Sequence, residues 1–132
     1  MNNKATVIGG GLAGCEAALQ LADRGIAVTL VEMKPQKHSP AHKSDGLAEL
    51  VCSNSLKAER ISSAGGLLKA EMARLSSVCV ETAYKCSVPA GGALAVNRED
   101  FSSIITQKIH SNPNIEVVHK EALEIPDGPC II

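Results

Sequence analysis

The 132-residue chain has no tryptophan, one tyrosine (Tyr84) and one phenylalanine (Phe101), so aromatic rings make up 2% of it. Bases have almost nothing to stack on, which excludes a stand-alone RNA-binding module. An excess of either charge is also lacking: 13 basic residues face 14 acidic ones, for a net of −1. No global field draws in nucleic acid or an anionic membrane, and any such partner has to be held locally. The amino terminus has no long apolar run. Ala5 to Ile8 gives way to three glycines, too short a stretch for a signal-peptide core or a membrane span. The reading is a cytoplasmic protein with no membrane partner. The five cysteines, Cys15, Cys52, Cys79, Cys86 and Cys130, include no C-x-x-C pair, which speaks against both a disulfide framework and a zinc site.

What is present is a nearly complete dinucleotide-binding unit. Ala5-Thr-Val-Ile8 is a short apolar strand ending at Gly9-Gly-Gly11-Leu-Ala-Gly14. Cys15 to Arg24 then places Ala17, Ala18, Leu21 and Ala22 on one helical face, and Gly25 stops the helix. Ile26 to Val31 reads as a buried strand closing on Glu32. In Gly9-x-Gly11-x-x-Gly14 the first glycine permits the tight turn and the second admits a pyrophosphate to the backbone; the third lets helix and strand approach. Gly9, Gly10, Gly11, Leu12, Ala13 and Gly14 are the candidate cofactor-binding residues, their N–H groups and the helix dipole facing the diphosphate. Glu32, 18 residues beyond Gly14 (32 − 14), is placed to bond the adenosine ribose hydroxyls. A carboxylate there repels a 2′-phosphate, so the site prefers FAD or NAD over NADP.

The rest of the chain is less regular. Met33 to Lys43 carries Lys34, Lys37, Lys43, His38, His42 and two prolines with no acid, and reads as a basic, solvated loop that a phosphate-bearing partner could use. His38 and His42 have the spacing of a helical metal pair, but Pro35 and Pro40 oppose a helix and no third ligand is apparent; no metal is expected. Ser53, Asn54 and Ser55 are candidate caps for a short helix over Leu56–Arg60, which puts Cys52 at a helix start. A thiol there has its thiolate stabilised and is the candidate catalytic nucleophile, against the alternative of a small buried hydrophobe. Cys15, Cys79, Cys86 and Cys130 read as core. A second helix is expected over Gly65–Leu75 with Leu67, Leu68, Met72 and Leu75 inward. A third is capped by Asn97 with Asp100 as reciprocal partner, buries Phe101, Ile104, Ile105 and Ile109, and ends at Ser111-Asn-Pro113. Arg98 reads as a surface residue. Ile115–Val118 and Glu121–Ile125 read as strands, and Pro126-Asp-Gly-Pro129 as a turn into a further strand at Cys130.

Four blocks together resemble the folate- and FAD-dependent tRNA uracil-5-methyltransferases: Gly9-Gly-Gly-Leu-Ala-Gly-Cys-Glu-Ala-Ala18, Val31-Glu-Met-Lys-Pro35, Leu47-Ala-Glu-Leu-Val-Cys-Ser-Asn-Ser-Leu56 and Pro89-Ala-Gly-Gly-Ala-Leu-Ala-Val96. The first block is shared with a flavoprotein that modifies the tRNA wobble uridine, which lacks the Val-Cys-Ser-Asn-Ser-Leu segment. The resemblance covers essentially the whole chain and about the first third of a family member. It implies an α/β fold, with residues 1–132 forming the amino-terminal part of a Rossmann-type FAD-binding domain, a parallel sheet with flanking helices truncated at its carboxyl end. It further implies FAD reduced by NADPH or NADH, 5,10-methylenetetrahydrofolate as one-carbon donor, and methylation of uracil C5 in the T-loop of tRNA to ribothymidine without S-adenosylmethionine.

Cys52 matches one of the family's two functional cysteines; whether it adds to the uracil or handles the one-carbon unit stays open. The second cysteine, the NAD(P)H domain and most of the tRNA surface fall beyond Ile132 on this reading, so the chain alone is expected to be inactive and to bind FAD weakly. Two other readings remain. One is the wobble-uridine relative or another flavin oxidoreductase with a structural Cys52; the other is a non-catalytic dinucleotide-binding domain.

Overall fold

A computed structural model describes residues 3–132. Along the chain lie β1 (Lys4–Ile8), α1 (Leu12–Asp23), β2 (Ala27–Glu32), β3 (Ser55–Ala58), α2 (Ala64–Arg74), α3 (Val78–Lys85), β4 (Ser87–Val88), β5 (Ala93–Val96), α4 (Arg98–Ser111), β6 (Ile115–His119) and β7 (Cys130–Ile131). Four strands form a parallel sheet in the order β6-β2-β1-β7. β1 and β2 pair with Lys4 opposite Ala27 and Ile8 opposite Val31, the register expected of two strands joined by one crossover helix. Gly25, at φ +75, ends that crossover, with its N–H on the Ala22 carbonyl and the Ile26 N–H on that of Leu21. The Rossmann-type parallel sheet with flanking helices is therefore as the sequence predicts. Among the described residues no helix is long and apolar enough to cross a membrane.

The core lies between this sheet and the helices on one face. Val7, Val28 and Leu30 point inward from the strands to meet Cys15, Ala18, Leu19 and Ala22 of α1. The inward stripe of α1 thus runs along Cys15 and Leu19, while Ala17 and Leu21 sit at its margin. Phe101, Ile105 and Ile109 of α4 are fully buried against it, each contributing about 1.5–3 kcal/mol by burial. Asn97 caps α4 by accepting the Glu99 and Asp100 N–H groups. The reciprocal arm from Asp100 does not form, because the Asn97 N–H is taken by the Cys86 carbonyl at 2.9 Å.

Three further expectations about the elements fail. Ser55–Ala58 is a strand, not a helix: Asn54 is pinned to Val96 through both its carbonyl and its side-chain amide. This draws Ser55 opposite Ala95 in the antiparallel sheet β3-β5-β4. The Ser53 and Ser55 hydroxyls do accept backbone N–H groups, but two residues on, in turns, and not at a helix start. Secondly, α2 has the expected span and its cap is Ser63, yet it turns Gly66 and Lys69 inward and leaves Leu68 56% and Leu75 74% exposed. A Cβ at Gly66 would stand 1.9 Å from the Arg60 carbonyl oxygen, and the Lys69 ammonium holds the Leu56 carbonyl at 2.6 Å. Thirdly, Glu121–Ile125 is irregular: after the Lys120 N–H bonds the Glu32 carbonyl the chain leaves the sheet, and Leu123 is 84% exposed.

The helix α3 was not anticipated, and its start is held from a distance by Glu16 of α1. The Glu16 carboxylate accepts the Ser77 hydroxyl at 2.9 Å, the Val78 N–H at 3.1 Å and the Cys79 N–H at 2.8 Å. Burial works to raise its pKa, but the Cys79, Gln20 and Ser77 hydrogen bonds prevail and hold it below the ordinary value. A carboxyl depressed on folding stabilises fully above its unfolded pKa and loses that contribution as pH falls through the folded value. Glu16→Ala should speed amide exchange in α3 by roughly 10-fold or more at pH 7, the worth of charge-assisted bonds of ~1.5–3 kcal/mol. The gap between variant and parent should narrow as pH falls below 4.5. Equal protection at pH 7 refutes the role.

Candidate functional site

The turn after β1 is built by its glycines. Gly9 sits at φ +100, a left-handed backbone that a side chain would strain. A Cβ at Gly14 would stand 1.8 Å from the Gly9 carbonyl oxygen, so only glycine lets α1 approach the turn this closely. At Gly11 a Cβ would meet nothing within 4 Å; the backbone there faces open space. Gly11 is the N-cap of α1, and no side chain accepts a hydrogen bond from the helix's first turn. The N–H groups of that turn, from Leu12, Ala13 and Gly14, have no intrahelical acceptor and carry the positive end of the helix dipole. They are thus left for an anion. Gly10 has a reason that the motif alone did not disclose: a Cβ there would lie 2.6 Å from Leu47 Cδ2 and 2.7 Å from Glu32 Oε2.

Glu32 ends β2 and is 6% exposed. Its Oε2 accepts the Gly10 N–H at 2.6 Å and its Oε1 the Lys34 N–H at 2.9 Å. An ionised carboxylate has about four lone-pair positions, so each oxygen keeps capacity for a ribose hydroxyl. With Gly9, Gly11, Met33, His42 and Lys120 it lines a cleft of about 340 Å³. Free amides on an open glycine backbone beside a carboxylate fit the ADP half of a dinucleotide. Met33 and Lys120 reach the cleft because β2 and β6 end side by side, and His42 reaches it from the loop that follows β2.

A segment without regular structure, residues 43–51, lies across this turn. The Ala48 N–H donates to the Gly10 carbonyl at 2.8 Å, with Ala48 at φ +51. Leu47 is held from α4, its N–H on Thr106 Oγ1 and its carbonyl under the Ser102 hydroxyl. Lys34, expected in a solvated loop, is instead 2% exposed; its ammonium donates to the Gly46 carbonyl and lies 3.4 Å from Glu49 Oε2. The other Glu49 oxygen accepts the Lys43 N–H at 2.8 Å. Burial works to raise the Glu49 pKa, but the Lys43 N–H and the Lys34 charge bring it below the ordinary carboxylate value. Lys37 and Lys43 are exposed as expected, Lys37 paired with Glu121.

Cys52 follows this segment in an exposed loop ahead of β3. The expected helix start is absent, so no helix dipole acts on its thiol. It is the only exposed cysteine among the described residues. Cys15 is packed as expected, its thiol on the Gly10 carbonyl, and burial pushes its pKa up to about 12 against the opposing Ala48 N–H. Burial and the Glu16 carboxylate raise that of Cys79, and burial that of Cys86. Cys130, read as core, is half-buried where β7 pairs with Thr6. His38 pairs with Asp45, and His42 bonds Ser39. Arg98 is exposed as expected.

Residues 4–131 match the family model described as Glucose inhibited division protein A. The Methylenetetrahydrofolate--tRNA-(uracil-5-)-methyltransferase TrmFO of Geotalea uraniireducens is 61% identical over 133 residues, covering 100% of this chain and 31% of the relative. The protein of the same name from Bacillus licheniformis is 56% identical over 132 residues, with 100% and 30% covered. The chain spans about 30% of the length of the curated relatives it matches. Among solved structures, Aquifex aeolicus GidA superposes with a TM-score of 0.69 at 16% identity over 87% of this chain and 19% of that one. The p-nitrophenol 4-monooxygenase PnpA of Pseudomonas putida gives 0.52 at 17% identity over 88% and 31%. These likenesses show the fold.

The glycine geometry makes two substitutions behave oppositely. Gly14→Ala should lower stability by about 1–3 kcal/mol, read as a drop in Tm, because backbone blocks the new methyl. Gly11→Ala should leave the Tm of the flavin-free protein unchanged and weaken FAD binding about 10-fold or more by titration, since its methyl fills the space beside the free amides. Full FAD affinity in the Gly11 variant contradicts this assignment.

Proposed function

Because the chain belongs to the glucose inhibited division protein A family, we propose that it forms the amino-terminal part, residues 1–132, of the FAD-binding domain of a folate-dependent tRNA uracil-5-methyltransferase. The parent protein then methylates uracil C5 in the tRNA T-loop, working in the cytoplasm with NADPH or NADH as reductant and 5,10-methylenetetrahydrofolate as donor. The names of relatives that are 61% and 56% identical over the whole chain support this reading. The observation that carries it is the 2.8 Å bond from the Ala48 N–H to the Gly10 carbonyl. It lays the segment leading to Cys52 on the cofactor turn, and four further residues span at most about 14 Å.

FAD, when bound, supplies the redox and one-carbon chemistry that protein side chains cannot. The chain's own residues bind and orient it. The first-turn amides of Leu12, Ala13 and Gly14 receive the diphosphate and Glu32 the ribose hydroxyls. Gly9, Gly10 and Gly11 let these groups close on the ligand. Uracil C5 becomes nucleophilic only after a group adds to C6, and its proton has to leave once the new carbon is attached. Cys52 either makes that addition to C6 or handles the one-carbon unit. Its exposure suits a thiol that has to meet a base carried by a macromolecule, and no hydrogen bond ties it to the described residues.

The parent incubated with unmodified tRNA, methylenetetrahydrofolate and NADPH should form 5-methyluridine without S-adenosylmethionine. Replacing Cys52 with alanine should abolish at least about 99.9% of the rate, a loss of ~4 kcal/mol in the transition state, while flavin content is retained because the side chain lies outside the core. A yellow protein that makes no 5-methyluridine, or a Cys52 variant with an unchanged rate, ends the proposal.

A further inference from the structure

We infer that Lys34 and Glu49 are positioning residues: their partly buried pair straps residues 43–50 onto the glycine turn and thereby fixes where Cys52 stands relative to the cofactor. The inference rests on the reading of Cys52 as a reacting thiol. It starts from Lys34, an ammonium 2% exposed at the end of the cofactor-binding strand. A buried cation is costly unless it is paired and hydrogen-bonded, and its acceptors, the Gly46 carbonyl and Glu49 Oε2, both belong to the segment that crosses the turn. Burying Lys34 therefore requires that segment to close. Glu49 completes the strap by folding back on the Lys43 N–H, so that one carboxylate ties both ends of the segment.

The segment needs such a strap. It has no ladder of its own, with bends at residues 45–48 and neither helix nor strand around them, and Ala48 is held at φ +51, a conformation that persists in a non-glycine residue only when its surroundings impose it. Two independent contacts run from it into the site, the Ala48 N–H on the Gly10 carbonyl and Leu47 Cδ2 over Gly10. Lys34 is fixed at the opposite end, its own N–H bound by the ribose-facing Glu32 at 2.9 Å. Glu32, strap and cysteine segment thus form one connected unit, and neither Lys34 nor Glu49 lines the cleft beside Glu32. Small displacements of a reacting group cost on the order of 100-fold in rate, so loosening the strap should act on turnover more than on substrate binding.

The test uses the full-length, flavin-loaded parent and the variants Lys34→Met, Glu49→Gln and the pair combined. Each single variant should lower kcat for 5-methyluridine formation at least about 10-fold while KM for tRNA stays within about twofold. The combined variant should lose no more than the worse single one, because both act through one contact. Alkylation of Cys52 by iodoacetamide, followed by peptide mass spectrometry, should change at least about threefold, and amide exchange should rise over residues 43–52 and not elsewhere. Where a single variant fails to fold, the combined one, which leaves no unpaired buried charge, carries the test. Unchanged kcat together with unchanged Cys52 alkylation overturns the inference, as do single losses that multiply in the combined variant. If the unaltered parent makes no 5-methyluridine, the functional reading fails, whereas alkylation and exchange still decide whether the strap positions Cys52.

Discussion

The structure depends on one short contact, the Glu32 carboxylate on the Gly10 N–H at 2.6 Å. It joins the end of β2 to the turn after β1, so two strand ends and a helix start converge within one residue's reach. An unsatisfied carboxylate at this depth would cost several kcal/mol; here the Gly10 and Lys34 amides satisfy it while the cleft side stays open. The glycines follow from the same closeness. Gly10 has no room because Glu32 and Leu47 come so near, and Gly14 has none because α1 starts against Gly9.

From this point the remaining packing builds outward in layers. α1 and α4 cover one face of the parallel sheet with small and branched side chains, so that Phe101 and Ile105 reach the core beside Cys15 and Leu19. Glu16 binds α1 to the start of α3, and Asn97 passes its N–H to the Cys86 carbonyl while its side chain caps α4. These polar links do in the connections what ladder bonds do in the sheet: they give buried backbone groups fixed partners. The segment over the glycine turn is held in the same manner by side chains of α4 and by the Lys34–Glu49 pair.

How much of the site could be read in the chain varies with the range of the forces involved. The strand, glycine turn, helix, strand and Glu32 were legible because each rests on neighbours in sequence: a hydrophobic period, a positive φ, a helix that must end. The same holds for α4, whose cap and apolar spacing are local. Cys52 was expected at a helix start, and no helix forms there. Its serines looked like helix caps, and a serine hydroxyl serves a turn or a helix equally well until long-range pairing decides. Asn54 on Val96, 42 residues away, decided for a strand. α2 misled in a related way, since its leucines marked an apolar face but nothing local said that Gly66 and Lys69 would be the side pressed against β3.

By itself the sequence determined the α/β class, the glycine turn, the acidic strand end and the spans of α1, α2 and α4, because these follow from steric and hydrogen-bonding rules acting over a few residues. Only the tertiary structure decided that Lys34 is buried, that Glu49 is its partner, that Leu47 and Ala48 close over Gly10 and that Cys52 stands exposed beyond them. These are contacts between residues 12 to 59 positions apart in the chain. Their existence depends on which surfaces meet when the sheet and helices pack, and a buried charge reveals its partner only once both are in place.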